Sequence, residues 1–244
     1  MNGVIARITL RQLLSRRRTI LLLLLGLVMI LVALALRVGG NPANAQQVTG
    51  TLLSTMGIGT LMPLVALLFG TGAIGSELED GTAVYLLAKP ISRATILFTK
   101  LVVAIACSIP ITCVPIFLAG ILGAGGLGDG LVIAFTLAAV AGTAIYCTVF
   151  VALSLITGRA LIFGLGYVLI WEGLLAGLFA GTRTFSVRQQ TLAFADALTD
   201  VPRSVFHAEL DLTTALVVAI VVGVGATVLA VRRLRRIEIA GESA

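Results

Sequence analysis

Residues 19–36 read TILLLLLGLVMILVALAL, 18 residues without a charge. At the helical rise this is about 27 Å, close to the hydrocarbon thickness of a bilayer. Five further apolar segments follow, at about 51–74, 101–122, 131–156, 160–180 and 213–231. The 244 residues are 59% hydrophobic and 11% charged, against roughly 25% charged in soluble domains. A water-soluble core of this size cannot hide so much apolar surface. The class is an all-α integral membrane protein with six transmembrane helices in one domain, 1–244. Pro63 is expected to kink the second span. Pro110 and Pro115 fall inside the third, where neighbouring helices re-satisfy freed backbone groups.

The basic residues set an orientation. All but four of the 17 Lys and Arg flank the apolar segments on the side that holds both termini. The exceptions are Arg37, Arg183, Arg188 and Arg203. The positive-inside rule therefore places both termini in the cytoplasm and the chain in the cell membrane. The net charge of +6 is used in this way and does not indicate nucleic acid. At the N-terminus, Ala43-Asn44-Ala45 resembles a signal-peptidase site. The apolar run and the charged region before it are both long for a leader, so a retained span is expected. Residues 2–18 read as a helix lying on the membrane surface. Arg7 and Arg11 lie on one stripe with Arg18, Val4, Ile5 and Ile8 on another, and lipid headgroups are the expected neighbours of the cations. A basic flank that only sets topology is an equal alternative.

The stretch ELEDGTAVYLLAKPISR, residues 77–93, gathers charge between two spans. Glu77, Glu79 and Asp80 cannot stay in hydrocarbon, which ends the second span near Gly75. Gly81 can turn the chain. Residues 82–88 are long enough for about two helical turns. Lys89-Pro90 breaks the helix, because the residue before proline avoids helical dihedrals. Ser92 is placed to cap a new helix starting at Arg93.

The order of residues here, E-x-E-x-G-T-x(5)-L-x-x-P-I-S-R-x(6)-K, from Glu77 to Lys100, closely resembles the cytoplasmic loop of type-2 permeases of ATP-binding cassette (ABC) transporters. The resemblance extends over the chain, from the basic surface helix through six spans to Trp171-Glu172 after YVLI. It implies a permease subunit of an exporter that pairs with a second permease, identical or homologous, and with two copies of an ATP-binding subunit. It further implies that a short helix between spans two and three couples the two. Glu77, Glu79, Asp80 and Gly81 would form its entry, and Lys89, Pro90 and Arg93 its exit. Arg7 and Arg11 would lie beside it. The chain has no G-x(4)-G-K-[ST] phosphate loop. ATP and magnesium would therefore sit on the partner, and the chain itself would not be an enzyme.

Glu172 is the acid inside an apolar run, which makes it a functional candidate. Either it lines a path, or the fifth span ends near Ile170 and Trp171-Glu172 opens an outer re-entrant hairpin; the hairpin is preferred. The resemblance makes Thr51, Ser54, Thr55 and Thr60 candidate path lining, with ordinary helix–helix hydrogen bonding the plainer alternative. Gly173, Gly177 and Gly181 recur every four residues and suit either close helix approach or a tight turn. Residues 181–212 form the largest outer segment and are expected to carry short surface helices. His207 has no second ligand in sequence reach, and Cys107, Cys113 and Cys147 lie singly in apolar stretches, so no metal site is expected. A competing function is an ion-coupled secondary transporter using Glu172.

Overall fold

The computed structural model describes residues 3–14, 17–39, 44–79, 92–127, 130–178 and 180–236, excepting the side chains at 4, 14, 17, 18, 76, 78, 79, 180, 235 and 236. These residues are helical with short turns and, among them, no β-strand. Six helices are long and apolar enough to cross a membrane: Thr19–Gly39, Ala45–Gly75, Arg93–Ala124, Leu131–Ile156, Ala160–Leu178 and Leu212–Leu234. The chain is a multi-pass membrane protein. We call the end of the bundle that holds both termini the terminal end, and the other the far end.

Two spans start earlier than hydropathy suggests. The second begins at Ala45, where Gln46, Gln47 and Thr49 dilute the apolar signal without stopping the helix. Thr49 satisfies its hydroxyl on the Ala45 carbonyl at 2.7 Å. The third begins at Arg93, as the Ser92 cap implies: Ser92 Oγ accepts from the Thr95 backbone N–H at 3.2 Å. It then runs unbroken to Ala124 through Pro110 and Pro115. The first span crosses it where Gly26 meets Pro115, a site at which an added Cβ would stand 2.6 Å from the proline ring. The apolar part of the second span ends at Gly75, yet the helix continues to Glu79. The acids do not end the helix, because protein rather than lipid receives Glu77.

Both the second and fifth spans contain a wider, π-wound stretch, at Leu53–Leu61 and Tyr167–Leu175. The first lies just before Pro63, whose ring displaces the carbonyl four residues back and removes one ladder bond. The expected kink is thus a change of winding ahead of the proline.

The second, third and fourth spans form the core, with the first against the third and the sixth against the fourth. Tyr146, Phe150, Phe135 and Phe69 are fully buried there. Gly142 on the fourth span admits Thr191 and Met62 so closely that no Cβ fits. The fifth span stands at the edge, with only 22% of its apolar window buried.

The segment 181–212 folds back over the far end. Its helix Val187–Ala197 is not a surface helix: Val187, Gln190, Thr191 and Leu192 are buried against the fourth span. Phe206 packs edge-on to Phe135, ring centroids 4.7 Å apart. The N-terminal helix Gly3–Leu14 buries Ile5, Thr9 and Leu13, one stripe at helical spacing, mainly against the third span. Ile8 is 55% exposed and takes no part in that buried stripe. Arg7 and Arg11 are exposed.

Candidate functional site

At the terminal end the loop between spans two and three enters and leaves through a polar anchor. Lys100, about two turns into the third span, is buried to 1% side-chain exposure, and its Nζ lies 2.6 Å from Glu77 Oε1. The same Nζ donates to the Ala73 carbonyl at 2.8 Å. A cation is thus held near the C-terminal end of the second span, where the helix dipole favours it. Glu77 is 14% exposed. A lone charge here would be costly, whereas the pair with an added carbonyl is tolerated. On the loop's exit side Arg93 Nη1 donates to the Leu234 carbonyl at 3.0 Å. That carbonyl lies near the end of the described part of the sixth-span helix, Leu212–Arg236. The ends of spans two, three and six are therefore tied together around the loop.

Of the loop residues singled out by sequence, Glu77 and Arg93 stand in this anchor. Asp80, Gly81, Lys89 and Pro90, and the side chain of Glu79, lie outside the described residues. Lys100 is the residue that sequence reading undervalued: it was the last letter of a motif and a topology-setting cation, not a buried partner for Glu77.

At the far end Glu172 is 2% exposed. Tyr167 Oη donates to its Oε1 at 3.0 Å, the Val187 backbone N–H donates to the same oxygen at 3.0 Å, and Ser186 Oγ donates to Oε2. Ser186 Oγ also accepts from the Gln189 N–H at 3.1 Å, as the cap of the Val187–Ala197 helix. The carboxylate thus clasps the fifth span to the start of that helix. The turn between them is closed by Thr182, which donates to the Leu175 carbonyl at 2.9 Å, and by Arg183 Nε, which donates to the Ala176 carbonyl at 3.3 Å. Arg183 also pairs with Glu209. Tyr146, fully buried on the fourth span, brings its hydroxyl near the carboxylate without completing a hydrogen bond.

The helix does not end at Ile170. It passes through Trp171 and Glu172 in π winding, and α-helical residues follow to Leu178. Tyr167 and Glu172 are five residues apart, which in α winding lie on different faces and in π winding lie one above the other. That register is why the pair is invisible to an α-periodic reading. Among the described residues, a Cβ added at Gly173, Gly177 or Gly181 would meet no other helix.

Thr51, Thr55 and Thr60 are exposed along one side of the second span, with Ser54 half-buried beside them. Their hydroxyls donate to carbonyls of their own helix at 2.7–3.1 Å. An open groove of about 390 Å³ runs beside Thr51 and Thr55, walled by Leu36, Val48 and Met56. His207 Nδ1 lies 3.2 Å from Asp196 at the exposed far surface. No group of three His, Cys, Asp or Glu is placed to hold a metal among the described residues.

Six spans, a basic N-terminal helix and an anchored loop between spans two and three define a membrane permease. The family model described as ABC-2 family transporter protein matches residues 4–236, and the chain belongs to that family. It is a permease subunit of an ABC transporter, and membership implies pairing with an ABC ATP-binding subunit. No curated protein matches the chain.

Proposed function

We propose that this chain is the membrane-spanning half of an ABC exporter, working as a dimer of permeases above two ATP-binding subunits. ATP and magnesium reside on those subunits, and this chain carries no catalysis. The terminal end faces the cytoplasm of the cell membrane, with the exposed Arg7 and Arg11 beside lipid headgroups. The loop 77–93 is the coupling element.

The observation that carries this reading is the buried Lys100–Glu77 pair with its bond to Ala73. A loop pushed by a motor moves a span only if its ends are fixed to that span. Here both neighbouring spans share one buried ion pair, so displacement of the loop becomes displacement of two helices. The second permease is proposed to meet the face formed by the exposed hydroxyls of the second span and the open side of the fifth. Thr51, Ser54, Thr55 and Thr60 then line the path, and closure of the motors opens it outward. Glu172 is proposed to shape an outer hairpin from the fifth span and the Val187–Ala197 helix. Its oxygens are engaged by three donors, which favours that role over ion coupling.

Purification in mild detergent after co-expression with an ABC ATP-binding subunit tests the assignment. A stable complex that hydrolyses ATP is expected. A chain that purifies without the subunit, and without ATP hydrolysis, contradicts it and returns Glu172 with an ion gradient to first place.

A further inference from the structure

We infer that Arg188 recognises an anionic group, phosphate or carboxylate, on the transported molecule. The inference rests on the reading that the hydroxyl-bearing side of the second span lines the path. Arg188 sits in the first turn of the Val187–Ala197 helix and reaches across to the second span. A Cβ added at Gly59 would stand 3.1 Å from its Nε and 3.3 Å from its Cζ. Gly59 lies inside the π-wound stretch, next to Thr60 and about one turn beyond Thr55. The missing side chain there is what lets the guanidinium approach the helix this closely.

Among the described residues the Arg188 cation has no ion pair. Arg188 Nε is buried and has no hydrogen-bond partner, and no carboxylate lies within salt-bridge distance of the guanidinium among the described residues. Arg183 differs: it is held by Glu209 and by carbonyls of the fifth span. Glu172, whose carboxylate holds the start of the same helix, has its oxygens taken by Tyr167, Ser186 and the Val187 N–H. A guanidinium kept half-buried without a counter-charge is costly, so its retention calls for a partner from outside the chain. The neighbouring hydroxyls of Thr55 and Thr60 have spent their protons on backbone carbonyls. They can only accept, which leaves Arg188 as the donor that distinguishes an anion from a neutral molecule on this side of the helix. Its planar fork suits phosphate or carboxylate.

The test uses the full chain in phosphatidylcholine nanodiscs. Binding is followed by the fluorescence of Trp171, the chain's single tryptophan and the neighbour of Glu172. The probes are dodecyl phosphate, dihexanoyl phosphatidylglycerol and, as the neutral match, dodecanol. Saturable binding of one or both phosphates is expected, weakened about tenfold or more by Arg188→Gln and less by Arg188→Lys, which keeps the charge and loses the fork. Binding of dihexanoyl phosphatidylglycerol alone identifies a lipid headgroup, and binding of dodecyl phosphate alone a free amphiphilic anion. Equal affinities in wild type and in a folded Arg188→Gln, or equal binding of dodecanol, overturn the inference. Should Arg188→Gln fail to fold, an Arg188→Lys variant with unchanged affinity for both phosphates and for dodecanol overturns it as well. Labelling of Thr55→Cys by a water-soluble maleimide in the same nanodiscs judges the path reading separately. Protection of that cysteine removes the path while leaving the Arg188 result to stand or fall on binding.

Discussion

Glu77 and Glu172 are both carboxylates withdrawn into the protein, and they are accommodated in opposite ways. Glu77 meets a cation: Lys100 neutralises it and adds a bond to a backbone carbonyl. Among the described residues Glu172 is hydrogen-bonded by neutral donors, a tyrosine, a serine and a backbone N–H. An ion pair is strong but needs little angular accuracy, and it survives the small helix shifts that a driven element must make. A carboxylate shared by three donors from two helices fixes geometry and loses energy as soon as one helix slides. On the proposed function, the contrast separates an end of the bundle that is pushed from an end that holds shape.

The largest expected effect is at the ionic end. Lys100→Ala leaves Glu77 facing a cavity without its counter-charge and should cost about 3–5 kcal/mol, read as a fall in the detergent melting temperature. Adding Glu77→Ala should recover part of that loss, because the uncompensated charge goes with it. No recovery in the double variant would show that the pair is not the unit proposed. Glu172→Gln comes next, at about 1–3 kcal/mol, since the amide nitrogen must face at least one of three donors. Its loss should appear as faster proteolysis within 181–212, and an unchanged cleavage rate would break the contrast. Tyr167→Phe removes a single donor while the other two remain, and should cost about 1 kcal/mol. Gly177→Ala faces open space and should change the melting temperature least, by the equivalent of about 1 kcal/mol or less in the stabilising direction.

What the sequence made legible followed from local chemistry. The spans were visible because apolar length is a property of consecutive residues. Ser92 was visible as a cap because its donor, Thr95, lies three residues on. The order of acids, glycine and Lys-Pro reads as a loop, but residues 80–91 lie outside the described residues. What stayed hidden depended on winding or on meeting at a distance. Tyr167 reaches Glu172 only in a π register, which no hydrophobic period announces. Lys100 looked like a topology marker because its partner is presented by another helix. Arg188 looked like a stray outer cation because Gly59, which receives it, sits on the second span. The second span began early because Thr49 hides its hydroxyl in its own helix. The buried stripe of the N-terminal helix includes a threonine, Thr9, which is accommodated because its hydroxyl bonds the Ile5 carbonyl at 2.9 Å.

The central claim is that the Lys100–Glu77 anchor carries motion from the loop into the spans. The most direct measurement uses the complex with its ATP-binding subunit, spin-labelled at Thr55→Cys in both permease copies. Label-to-label distances are recorded with and without trapped ATP. The account predicts that the distance changes on ATP trapping. With Lys100→Ala and Glu77→Ala together, ATP hydrolysis should continue while the distance no longer responds. A double variant whose labels move as in the unaltered complex would contradict it.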